Sequence, residues 1–179
     1  MRAFLTVCLV LAIGACGPGR AIFNIDAQSF MAGTGKDTIP YIIPPFTTGS
    51  ASTVQRINLP PGFGSSSVDS VRITNGSVNL MNTGGAGTIG FQLFFASDSA
   101  STFTAPVALN VPATAVSGSQ TVAVPITGDL SATVNDLFTK EVLWMRIAAT
   151  GTNGAATPVT GRGVLTALQI RVVVQDKIF

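Results

Sequence analysis

Chemistry at neutral pH usually rests on imidazole, paired carboxylates, an activated nucleophile or a bound metal. The 179-residue chain contains no His. That removes Ser-His-Asp and Cys-His machinery, histidine metal ligands and the one side chain that titrates unperturbed near neutrality. The remaining acids are Asp26, Asp37, Asp69, Asp98, Asp129, Asp136, Glu141 and Asp176, and most fall in expected loops or at strand ends. A glycosidase needs two carboxyl groups facing each other at about 5 to 9.5 Å, a geometry that chain spacing does not specify, so these acids read as solvated. Asp98 and its Ser and Thr neighbours supply too few carboxylates for Ca²⁺. The expectation is a protein that is not an enzyme, with no catalytic residue, no metal site and no cofactor. Ten Lys plus Arg against eight Asp plus Glu give a net charge of +2 without a polycationic stripe, which excludes an electrostatic grip on nucleic acid.

One aromatic and basic group stands out as a candidate ligand surface: Trp144 and Arg146, on one face of an expected strand, together with Phe94. An indole can stack on the apolar face of a sugar, although the same pattern also arises from half-buried packing. The stretch from Gly33 to Thr38 fails as a phosphate-binding loop. A Walker A motif needs Gly where Phe30 stands and Ser or Thr where Asp37 stands, so the segment reads as a turn.

The two thiols belong to a different pattern. Met1 and Arg2 precede an uncharged apolar run from Ala3 to Ile13, followed by Gly14, Ala15 and Cys16. The run is shorter than the roughly 20 residues needed to cross a bilayer and has the length of a secretory h-region. Ile13-Gly14-Ala15-Cys16 resembles the lipobox of bacterial lipoproteins, in which an aliphatic and two small residues precede an obligatory cysteine. The resemblance is confined to the first sixteen residues. It implies thioether diacylglycerylation of Cys16, cleavage between Ala15 and Cys16, and in many bacteria further acylation of the new amino terminus. Buried acyl CH₂ groups contribute about 0.8 kcal/mol each, so two or three chains hold firmly where one does not. On this reading Cys16 is an anchor and the bilayer its partner. Cys8 leaves with the signal peptide, so no disulfide forms and the fold rests on packing. Gly17, where Asp would favour inner-membrane retention, implies the outer membrane in a cell with two membranes. An ordinary cleaved signal peptide, or a buried apolar N-terminal element, is the alternative reading of the same residues.

Only 10% of residues are charged, against about 25% in an average soluble domain, and 19 Gly and 10 Pro accompany many Ser and Thr. That composition argues against a helical bundle. Alternating patterns mark strands near 22–28, 54–59, 68–73, 77–81, 88–96, 107–111, 121–127, 141–149 and 163–176. Phe23, Ile25 and Ala27 share one face of the first; Ile89, Phe91, Leu93 and Phe95 share one face of the 88–96 strand; Val164, Leu168, Ile170, Val172 and Val174 share one face of the last. The Pro-rich Ile39–Phe46 segment suits an edge strand or an extended crossing segment. Asn75-Gly76 is a hairpin signal, although the parity of the flanking apolar residues fits a bulge equally well. Pro112 to Gln120 reads as a loop, and 131–140 as the single short helical turn.

The expected fold is therefore all-β, an antiparallel β-sandwich of about eight to ten strands with at most one short helical turn; a closed barrel is the alternative. Residues 1–15 form the signal peptide, 16–21 the lipidated cysteine and a short tether, and 22–179 one domain. Two roles follow. The first is a membrane-anchored structural or interaction module at the cell envelope, engaging other envelope proteins or glycans. The second is a carrier of lipid or another apolar ligand, suggested by Phe91, Phe94 and Phe95 with Ile39–Phe46 as a lid. An open apolar cavity of several hundred Å³ favours the carrier, and a filled interior favours the module.

Overall fold

The structure is a computed structural model that describes residues 19–59 and 67–176. Ten antiparallel strands form two sheets. The first sheet, sheet A, is built on two 18-residue strands, β4 (Ser67–Gly84) and β10 (Val159–Asp176). The outer edge of β10 is shared end to end by β1 (Gly19–Asp26) and β2 (Thr38–Ile43). The far edge of β4 is shared by β7 (Gln120–Pro125) and β8 (Gly128–Asp129). Sheet B runs β3 (Thr48–Asn58), β9 (Val142–Thr152), β5 (Ala86–Ala96), β6 (Leu109–Ser117). The expected sandwich is what the chain forms.

Period-two alternation drives the sheets together, because one face of each strand is apolar and must be covered. Phe91, Leu93, Leu143, Leu80, Leu168 and Val172 are each at most 1% exposed. Burying a side chain of this size stabilises by about 1.5–3 kcal/mol. The predicted inward sets of β1 and β5 hold: Ile25 and Ala27 are buried with Phe23 packed against them, and Ile89, Phe91, Leu93 and Phe95 are buried. Helical structure among the described residues is confined to a turn of α-helix at Ser131–Val134 and 3-10 turns at Gln28–Phe30, Ser101–Phe103 and Leu137–Thr139. No helix among the described residues is long and apolar enough to cross a membrane.

Three local readings need correction, and one open choice, hairpin or bulge at Asn75-Gly76, falls to the bulge. β1 begins at Gly19, not Ile22, and Gly19 pairs with Asp176, so half of the expected tether is sheet. Asn75-Gly76 makes no hairpin. β4 runs straight through it, with Ile73 opposite Ile170 and Asn75 opposite Gln169, leaving Thr74 as the extra residue of a bulge. Gly76 is there for space: a Cβ would sit 2.8 Å from the Ile126 carbonyl oxygen and 2.9 Å from its Cβ, and the Ile126 N–H bonds the Gly76 carbonyl at 2.8 Å. Pro112 lies inside β6, tolerated because β6 is an edge strand bulged opposite Gly90. Leu165, not Val164, faces the core, because the register shift between Leu165 and Ala167 inverts the parity of everything before it.

The chain repeatedly leaves one sheet for the other, and two buried asparagines tie the corners. Asn82, 3% exposed, donates through Nδ2 to the carbonyls of Gly84, Gly85 and Gly118 at 3.1, 3.2 and 2.6 Å and accepts from the Tyr41 hydroxyl at 3.2 Å. Burial raises the Tyr41 pKa above the ordinary phenol value. Asn153 donates to the carbonyls of Ile43, Pro44 and Thr157 at 3.1, 3.1 and 2.9 Å and accepts from Ala155 N–H at 2.8 Å. Satisfied networks of this kind fix one corner geometry.

Candidate functional site

Ala15 and Cys16 lie outside the described residues. Gly19, the first described residue, pairs at the end of β10 marked by Asp176, while β2 covers the opposite end from Val159. Seventeen steps of strand separate those two ends, about 55 Å at the usual rise.

The structure brings Phe94 and Arg146 together on the outer face of sheet B, where they are directly paired across β5 and β9. The Arg146 guanidinium carbon lies 3.8 Å from the Phe94 ring centroid and 4.9 Å from that of Phe103. Its Nε donates to the carbonyl of the fully buried Thr102 at 2.9 Å. Desolvation lowers the Arg146 pKa from its ordinary value. This cation is therefore spent on pinning the Ser101–Phe103 turn to the sheet, at a worth of about 1–2 kcal/mol. Phe94, 7% exposed, is its floor. Trp144 sits one row away, half-buried between Arg56 and Ala96, so the Trp144–Arg56 pair is the solvent-facing remainder of that surface. Asp98 caps the same loop, accepting from Ser101 N–H at 2.8 Å and from its hydroxyl at 2.6 Å. Those hydrogen bonds hold its carboxyl below the ordinary range. Among the described residues no three of Cys, Asp and Glu gather closely enough to hold a metal ion.

A more open feature lies at the other end, between the β2 edge of sheet A and the β3–β9 half of sheet B. Its inner wall is made of small residues in register, Gly49 opposite Gly151 and Ala51 opposite Ala149. Tyr41 and Ile43 of β2 face them. Gly151 packs closely here: a Cβ would stand 2.3 Å from Ile43 Cδ1, 2.7 Å from Ile89 Cδ1 and 3.0 Å from the Thr88 carbonyl oxygen, so both isoleucine side chains would have to move. Small wall residues leave an apolar cleft of about 280 Å³. Ile42 on β2 and Phe46 in the following turn are 75% and 72% exposed. Phe46 also has φ 58°, a left-handed conformation that bulky residues avoid and that costs about 1–3 kcal/mol. The turn is held by Asn153, whose N–H bonds the Thr47 carbonyl at 2.9 Å, and by the Thr47 hydroxyl, which donates to the Pro44 carbonyl at 2.9 Å.

The small residues of this wall escaped the sequence reading. A signal existed in Gly49 and Ala51, two small residues at period two near the start of β3, but their partners Gly151 and Ala149 lie about a hundred residues away. The Pro-rich segment singled out as a lid does supply one side of the cleft.

No protein-family model and no curated protein sequence matches the chain. Among solved structures, a chain of infectious bursal disease virus, Gx strain, is similar with 8% identity and a TM-score of 0.43 over 90% of this chain and 33% of that one. PirA is similar with 16% identity and a TM-score of 0.30 over 78% and 93%. TmCBM61, solved with β-1,4-galactotriose, is similar with 8% identity and a TM-score of 0.31 over 87% and 88%. The chain thus spans about a third of the viral chain it matches, and these likenesses are too distant to carry functional argument.

Proposed function

We propose that the protein is a lipid-anchored module of a bacterial cell envelope that makes contacts with other envelope components. The observation that carries this reading is the run Ile13-Gly14-Ala15-Cys16 placed three positions before Gly19, the first residue of a strand paired to the central β10. An acylated Cys16 couples the bilayer directly to the sheet, with no stalk between them. The modest size of the cleft supports an interaction role: 280 Å³ is less than twice a cavity of about 150 Å³ that takes one benzene. The cleft thus suits an apolar side chain of a partner better than a diacyl lipid. It opens at the end of β10 remote from the anchor, where a partner can reach it.

The cleft also supports the second reading, a carrier for a small apolar group, and one experiment separates the two. A photo-cross-linker at Ile42 in cells, with and without Ala51→Leu to fill the cleft, should give a discrete protein adduct that the filling change abolishes. Recovery of a small apolar molecule with no protein adduct favours the carrier. For the anchor itself, Cys16→Ser should move the protein out of the detergent phase and end metabolic labelling with palmitate; unchanged membrane partition and labelling would refute the reading.

A further inference from the structure

The outer face of sheet A collects cations in a chain that has few. Arg20 of β1, Arg72 of β4 and Arg171 of β10 line a shallow concavity of about 550 Å³ together with Ile22 and Asp69. The register makes Arg171 the direct cross-strand neighbour of Arg72. Like charges directly opposite each other weaken a sheet unless something neutralises them. Asp129 answers only one of the two, approaching Arg72 at 3.1 Å, and Asp69 is turned to Arg20 at 3.6 Å. Arg171 is exposed and has no ion-pair partner among the described residues. Two adjacent guanidinium groups, of which only Arg72 has a carboxylate beside it, form a ready site for a phosphate, which Arg binds through paired N–H donors.

Location decides which phosphate. Arg20 follows Cys16 by four residues, a reach of at most about 15 Å between Cα atoms. The row Ile22–Val173–Ser70 lies between Arg20 and the Arg171–Arg72 row, so an apolar side chain, Ile22 at 53% exposure, is framed by arginines. That is the arrangement of a surface resting at a headgroup layer, where apolar side chains dip in and basic ones meet phosphates.

We infer that this end of sheet A lies on the bilayer, with Arg72 and Arg171 holding the phosphate of an anionic phospholipid and Ile22 entering the interface. The inference rests on the lipid-anchored reading. With three arginines against Asp69 and Asp129 the patch is only weakly cationic, so it engages individual headgroups and does not adsorb diffusely.

The test uses the full chain purified from membranes, checked by intact mass for acylation, and placed in phosphatidylcholine vesicles with or without phosphatidylglycerol. Cys16 being blocked, a polarity-sensitive fluorophore can be attached through Ile22→Cys, or through Ser52→Cys on the outer face of sheet B as a control. On anionic vesicles the label at position 22 should shift to the blue and be quenched at headgroup depth, while the label at position 52 stays in water. Arg72→Gln with Arg171→Gln should reduce that quenching at least two-fold without changing the far-ultraviolet circular dichroism. An acylated protein whose label at position 22 remains in water, or ignores the double substitution, overturns the inference and leaves the anchor standing. A response to soluble inorganic phosphate equal to that on anionic vesicles overturns it in favour of a soluble anion. Absence of acylation overturns both.

Discussion

Removing the Asn82 side chain should unlock the corner where β4 passes into β5 and β6 into β7. Asn82→Ala deletes three Nδ2 contacts, to Gly84, Gly85 and Gly118, and leaves the Tyr41 hydroxyl, on a side chain 6% exposed, without its acceptor. The Gly85 carbonyl keeps a second donor, the Gly118 N–H at 2.8 Å, so the loss falls mainly on Gly118 and Tyr41. An orphaned buried hydroxyl costs about 1–3 kcal/mol and each lost bond about 1 kcal/mol, so the total should be about 2–4 kcal/mol. For a domain of this size that lowers Tm by about 5–15 °C. Thermal and urea unfolding followed by circular dichroism would show it as a lower midpoint with unchanged slope. Tyr41→Phe alone should cost about 1 kcal/mol, and the double substitution should fall short of additivity by at least about 0.5 kcal/mol. A loss below about 1 kcal/mol for Asn82→Ala, or strict additivity with Tyr41→Phe, would refute the view that one amide organises both crossings.

Three further outcomes follow from particular contacts. Gly76→Ala should destabilise by about 1–3 kcal/mol through collision with Ile126, whereas Asn75→Ala should be nearly neutral in urea unfolding because Asn75 forms no turn. Arg146→Ala should speed amide exchange at Thr104 and Ala105, whose N–H groups bond the Ser101 carbonyl, about ten-fold or more, with little change in the sheets. The chain has no His, so stability should be flat from about pH 5.5 to 8. Asp98 and Asp129 have carboxyls held below the ordinary range, chiefly by hydrogen bonds from Ser101 and Ser131 respectively. Their contribution is complete above the unfolded carboxylate value and is lost as the pH falls through the lower folded one. Unfolding scans should therefore decline below about pH 4, and Asp98→Asn with Asp129→Asn should flatten that acid limb.

Strand faces were legible because period-two alternation is a local property: Ile89, Phe91, Leu93 and Phe95 announce one buried face without reference to any other strand. Failures came where a distant residue decides. Gly76 is glycine because Ile126 crosses it, fifty residues on, and Val164 faces outward because a bulge near Thr166 resets the parity. Pro112 ended a predicted strand because proline forbids a central position, yet an edge was available. Of the candidate ligand surface, the shared strand face of Trp144 and Arg146 follows from alternation, but the cross-strand pairing of Arg146 with Phe94 and the Ser101–Phe103 turn that engages Arg146 come from distant segments, which alternation does not carry. The cleft and the Arg72–Arg171 pair both arise from cross-strand register, which no single segment encodes.

The anchor at Cys16 is tested most directly by intact-mass spectrometry of the protein extracted from the membrane fraction of its own cells. The mass should lack residues 1–15 and carry the added diacylglyceryl group, with or without an amide-linked acyl chain. A full-length, unmodified chain recovered from the soluble fraction would contradict it.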